Sequence, residues 1–291
     1  MTAANHLGVS RRLPIIASVI LAYRNVLMRP GRLFTLAVLP AVVCLTLGGI
    51  LVVAPWRIHP LSPLFLLLLL FPMSYLGLAW TRCSIFDQQP RLILRRPWIT
   101  AYLRALACYS LWTLCLVIWP APVILIAVFV AYGLVGGGDA FSNLVSFLPV
   151  SWLCLVVVGV IPFARLFLSL PLIATNQPAL PLAAWRLGSN IGFQLRSALF
   201  LLAVTFLAVI LLCLGLLIAA AEWALYPALL DPAFHDTVYV RYGLALPISF
   251  GIVVPIGSVI GTTLFAELLA IAFREADSWS GFRESIFERF D

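Results

Sequence analysis

The sequence predicts an all-α integral membrane protein, with six transmembrane helices and short interfacial amphipathic helices beside them. Three observations carry this. Hydrophobic residues fill 63% of the 291 positions and charged residues only 10%, against roughly 25% charged in soluble domains. The apolar residues collect into long runs, and six passes of about 20 residues through roughly 30 Å of hydrocarbon use up nearly the whole chain as a single domain, 1–291. The 18 basic residues, all arginine, fall overwhelmingly on alternate loops.

The first element is Leu13 to Met28, where Ile15, Val19, Ala22 and Val26 recur at spacings of three and four and Arg12 and Arg24 can reach headgroups. This pattern predicts a helix lying in the membrane surface. Ser10-Arg11-Arg12 ahead of it resembles a twin-arginine export signal, but the apolar run is short, contains Pro14 and leads to Arg24, Arg29 and Arg32, so cleavage is not expected. Pro30-Gly31 breaks the helix before span one, 33–55.

Span two covers 61–81 and leads into a loop with Arg82, Arg91, Arg95, Arg96 and Arg104 against Asp87. Span three, 105–135, carries Pro120 and Pro122, which predict a kink. After the Gly136-Gly137-Gly138-Asp139 turn comes span four, 144–174, then a polar interlude whose Leu180, Ala184 and Leu187 suggest a second in-plane helix. Spans five and six cover 198–221 and 244–273, and Trp279, Phe282, Ile286 and Phe290 give the tail a helical apolar stripe.

Counting arginines by side sets the orientation. Fifteen lie in the N-terminal segment, the second and fourth loops and the tail; Arg57 and Arg241 lie opposite, and Arg165 falls inside span four. The positive-inside rule therefore predicts cytoplasmic termini. The same placement reads the arginines as topology signals and partners for the phosphates of membrane lipids, with no nucleic-acid role.

Three stretches form a recognisable set: SVILAYRNVLMRPGRLFTLAVLP, GLAWTRCSIFDQQP, and ARLFLSLPLIATNQPALPLAAWRLGSNIGFQLRSALF. Together they resemble bacterial six-helix membrane proteins grouped around the membrane domain of glycerophosphoryl diester phosphodiesterase and its YciC-like relatives. The resemblance implies a bacterial inner-membrane protein with in-plane helices before spans one and five. It implies no catalysis, because in those phosphodiesterases the catalytic metal-binding residues sit in a separate soluble barrel, for which this chain has neither length nor residues.

Chemical motifs are sparse. The six cysteines lack CxxC or Cys/His spacing and read as small buried hydrophobes, so no disulfide framework, zinc site or cofactor is expected. Asp231, His235 and Asp236 offer a weak metal constellation, better read as a helix start with Pro232 at its first position. No GxSxG is present, and the glycine turn lacks a P-loop lysine. Gly257 and Gly261 form a GxxxG on span six, which permits close helix contact and is expected to serve within the bundle rather than between subunits. Prolines 40, 72, 120, 122, 162 and 255 within spans would mark hinges in a transporter, though they are common in membrane helices.

The candidate site is the pair of ionisable residues at membrane depth, Arg165 and Glu267. Span four reaches Asn176 11 residues after Arg165 and span six reaches Arg274 seven after Glu267, so they lie about 16 and 10 Å from the cytoplasmic ends, in the same half of the bilayer. Either they pair, or Arg165 snorkels to the headgroups while Glu267 does likewise or rests protonated against Thr263. Arg165 is also a candidate for binding a lipid phosphate. The function expected from all this is non-enzymatic, in membrane organisation or in handling a lipid or other small molecule; a secondary transporter and a membrane-embedded enzyme are the alternatives.

Overall fold

A computed structural model describes residues 14–53, 62–87, 96–118, 122, 126, 163–175, 181–188, 191–229 and 235–275. Among these the backbone is helical and contains no strand. The helices are α1 (Ile15–Met28), α2 (Pro30–Val53), α3 (Ser62–Phe86), α4 (Arg96–Ile118), α5 (Ser169–Ala174), α6 (Pro181–Leu187), α7 (Gly192–Leu229) and α8 (His235–Glu275), with a 3-10 turn at Leu166–Leu168 before α5. Pro120, the Gly136–Asp139 turn, Asp231-Pro232 and the tail stripe lie outside the described residues.

Three helical segments are long and apolar enough to cross a membrane: Pro30–Leu47, Gly192–Leu217 and Pro255–Glu275. The chain is thus a helical membrane protein. Burial separates their roles, since 67% of the third segment is buried by other parts of the chain, against 22% and 11% of the other two. The central helix is α8, packed by α1, α2, α3, α5 and α7. Helix α7 instead leaves Val209, Leu211, Leu212 and Leu216 exposed, as a lipid-facing surface requires.

The first break falls at Arg29, one residue earlier than the Pro30-Gly31 signal suggested. A residue before proline is driven out of the α region, and Arg29 has φ −116° and ψ 54°. Pro30 then opens α2, where its missing N–H is no loss. In α1 the expected positions Val19, Ala22 and Val26 are buried, but against α7 and α8. The lipid-available face is the other one, with Ile16, Ile20, Leu27 and Met28 exposed.

Span four differs most from expectation. Its described part is not one continuous helix: a turn at Ala164 and Arg165 passes into the 3-10 turn and only then into α5. Pro171 is the local cause, because it cannot donate the helical hydrogen bond to Phe167, and the preceding turn tightens. Ser169 Oγ bonds Leu166 O at 2.7 Å and Thr175 Oγ1 bonds Pro171 O at 3.1 Å, satisfying carbonyls around the irregularity.

Close contacts lock the helices in place. A Cβ at Gly261 would meet Phe206 Cε1 at 2.7 Å, and one at Gly257 would meet Ile210 Cδ1 at 2.9 Å. The GxxxG ridge therefore seats α7 against α8 within the chain, as the sequence suggested. Trp112 of α4, Phe167 of the 3-10 turn and Phe265 of α8 form an edge-on cluster with centroids 5.0–6.1 Å apart. At Gly77 a side chain would collide with the Tyr109 hydroxyl, so α3 and α4 also meet at a glycine.

Candidate functional site

Glu267 sits on the buried side of α8 with 2% of its surface exposed. Its carboxylate is held by donors from two other helices. Asn25 Nδ2 of α1 donates to Oε1 at 2.7 Å, Trp80 Nε1 of α3 donates to Oε2 at 2.8 Å, and Ser84 Oγ also donates to Oε2. Trp80 and Ser84 are four residues apart, hence on one face of α3. All three partners donate, so both oxygens act as acceptors, which offsets the several kcal/mol that an unpartnered acid would cost in such a place.

The same end of the bundle carries arginines on the last carbonyls of α3. Arg32 Nη1 donates to Cys83 O at 3.2 Å; Arg274 Nη2 donates to Ser84 O and, at 3.3 Å, to Ile85 O. Cations at a helix C-terminus meet both the unsatisfied carbonyls and the negative end of the helix dipole. Asp87, at φ 49°, closes α3 in the left-handed conformation that ends many helices. Its Oδ1 lies 3.3 Å from Arg29 and 3.4 Å from Arg32. The start of α2 and the ends of α3 and α8 thus meet at one face.

Arg165 is elsewhere. It stands at the helix break with its guanidinium 5.1 Å from the Trp185 ring centroid. The side chain lies in a slot made by two glycines: a Cβ at Gly192 would be 2.5 Å from Nε and 2.7 Å from Nη2, and one at Gly188 would be 3.0 Å from Cγ. Arg165 Nε is buried without a hydrogen-bond partner, and so is Arg196 Nε on α7.

The pairing of Arg165 with Glu267, one of the two alternatives the sequence left open, is not seen: their partners are disjoint, and the contact between their neighbourhoods is apolar, Phe167 on Phe265. Thr263 is not the partner of Glu267 either; its hydroxyl donates to Ile260 O at 2.7 Å. Glu267 is engaged by Asn25, Trp80 and Ser84, whereas Arg165 lies against Trp185, Gly188 and Gly192. Sequence reasoning passed over Asn25, Trp80 and Ser84 as a site, although all three occur in the stretches that carry the family resemblance. The usable signal was the Trp80/Ser84 spacing, two donors one turn apart in an apolar helix.

Chemically the two places differ. Glu267 is closed, with its acceptors occupied by three donors from two other helices, so it ties α1, α3 and α8 together. Arg165 and Arg196 present cationic groups whose described surroundings supply no carboxylate. Among the described residues no group of three or more His, Cys, Asp or Glu could hold a metal ion. Models of protein families, curated proteins and solved structures were all compared with the chain, and none matches.

Proposed function

We propose that this chain is a non-enzymatic, six-span protein of the bacterial inner membrane, with both termini cytoplasmic, that handles an anionic lipid or other small molecule or helps organise the membrane. The observation that carries the lipid reading is Arg165, a cation stacked on a half-exposed tryptophan with a buried, unpartnered Nε. Basic pockets between membrane helices near the cytoplasmic face are suited to lipid headgroups.

The span count draws support from length: α3 and α4 have 25 and 23 residues, enough for a crossing besides the three apolar segments. The orientation draws support from the shared face of Arg29, Arg32 and Arg274. Arg82 joins them from α3, 5.7 Å from the ring of Trp98 near the start of α4. The likeness of three segments to the six-helix family belongs to the same proposal.

Native mass spectrometry of protein extracted with minimal detergent tests the function. A stoichiometric lipid or metabolite should survive extraction; its repeated absence would leave a scaffold. A second reading, secondary transport, is favoured by the helix break at Arg165, because transporters place broken helices at their binding sites. Ion-driven solute uptake into proteoliposomes would decide for it.

A further inference from the structure

Arg165 and Arg196 share one feature, a buried Nε without a partner. Neither guanidinium group takes part in the ion pairs seen among the described residues, which join Asp87 to Arg29 and Arg32. Both belong to the start of α7. Arg165 Nη2 lies 2.7 Å from the Cβ position of Gly192, and Arg196 is one turn along on the same face, with about 5–6 Å between such positions. Helical side chains lean toward the N-terminus and cover the preceding turn, which brings the Arg196 stem over the turn that begins at Gly192.

The surroundings point to what is bound. The Arg165 guanidinium lies 5.1 Å from the Trp185 ring centroid, and such a cation–π contact consumes none of its N–H donors, which suit phosphate oxygens. Helix α7 starts at Gly192, so its first N–H groups add positive potential at the same spot. Trp185 and Phe193 flank it with 42% and 74% of their surfaces exposed, as aromatics at headgroup level are.

We infer that Arg165 and Arg196 together bind one phosphomonoester headgroup, that of a phosphatidic-acid type of lipid, at the start of α7. Two guanidinium groups over a single helical turn match an anion of nearly two charges on one phosphorus, which a monoester carries at neutral pH; a diester carries one. The exposed aromatics make the source a membrane lipid rather than free phosphate, and in this the inference rests on the lipid-handling reading.

The test is binding of defined lipids to the delipidated full chain by native mass spectrometry, with phosphatidic acid, phosphatidylglycerol and cardiolipin as ligands and inorganic phosphate as competitor. Phosphatidic acid should bind once per chain and about tenfold or more tighter than phosphatidylglycerol. Arg165→Gln and Arg196→Gln should each weaken it about tenfold or more, the loss expected for one charged hydrogen-bonding partner, with little effect on phosphatidylglycerol. Elution profile and helical content report folding; should the glutamine variants not fold, Arg196→Lys keeps the charge, loses the fork and must still lower the preference. Equal binding of mono- and diester lipids, tightest binding of cardiolipin, or an unchanged preference in the Arg196 variants would overturn the two-arginine site while leaving lipid handling intact. Displacement by equimolar inorganic phosphate would overturn the lipid source, and failure of the wild type to bind any lipid would remove the lipid-handling reading itself.

Discussion

Replacing Glu267 by alanine removes one acceptor group and strands three donors from two other helices, Asn25 Nδ2, Trp80 Nε1 and Ser84 Oγ. An interhelical hydrogen bond in a membrane protein is worth about 0.6–2 kcal/mol, and a buried donor left without an acceptor costs about 1–3 kcal/mol. Trp80 and Ser84 have 0% and 1% of their surfaces exposed, so water cannot replace the lost acceptor. The expected destabilisation is about 3 kcal/mol or more. Glu267→Gln keeps one acceptor oxygen but turns an N–H₂ toward a donor, and should cost about 1–3 kcal/mol. Helical content followed through a sodium dodecyl sulfate titration measures both. A double-mutant cycle between Asn25→Ala and Glu267→Gln should show coupling, since the two residues share a bond. Stability of Glu267→Ala within about 0.5 kcal/mol of wild type, the range of ordinary surface substitutions, would refute the claim that this carboxylate ties α1, α3 and α8 together.

Three other outcomes follow from the packing and the charge pattern. Gly261→Leu should destabilise the protein by about 1–3 kcal/mol, because the new side chain meets Phe206 at once; Phe206→Ala should recover part of the loss in the same titration. Spin labels on α1 should divide by face, with Ile16 open to a lipid-soluble quencher and Val19 closed to both lipid and aqueous quenchers, as their 67% and 4% exposures require; equal access at both positions would contradict the docking of α1 on α7 and α8. Reporter fusions after Asp291 and near Gly137 should report opposite sides of the membrane, with the C-terminus cytoplasmic, and an extracytoplasmic C-terminus would remove the six-span arrangement.

Much of the helical layout was readable from local pattern. The periodicity at Val19, Ala22 and Val26 located the buried stripe of α1, Leu180 to Leu187 located α6, and the glycine pair on α8 located a close helix contact. What periodicity could not say is what each stripe faces. Lipid and protein interior are equally apolar, so the α1 stripe read as a lipid-facing surface when it is in fact a protein contact. The site was harder for a related reason. Counting residues from the helix ends put Arg165 and Glu267 at similar depth, but depth is one coordinate of a side chain and the direction in which it leaves its helix is another. That direction is set by tertiary packing, here by the bonds of Glu267 to Asn25 and Trp80, 242 and 187 residues away in sequence. The break at Arg165 had a legible signal in Pro171, the same kind that predicted a kink in span three, but hydropathy alone carried span four through it as one apolar run.

The most direct test of the account is the structure of the protein by electron cryomicroscopy in nanodiscs made from its own membrane, with a bound antibody fragment for alignment. A lipid headgroup should lie within charge-assisted hydrogen-bond distance, about 2.7–2.9 Å, of the Arg165 guanidinium, with Trp185 still stacked beneath it. An Arg165 turned onto a carboxylate of the chain, with no lipid beside it, would contradict the account.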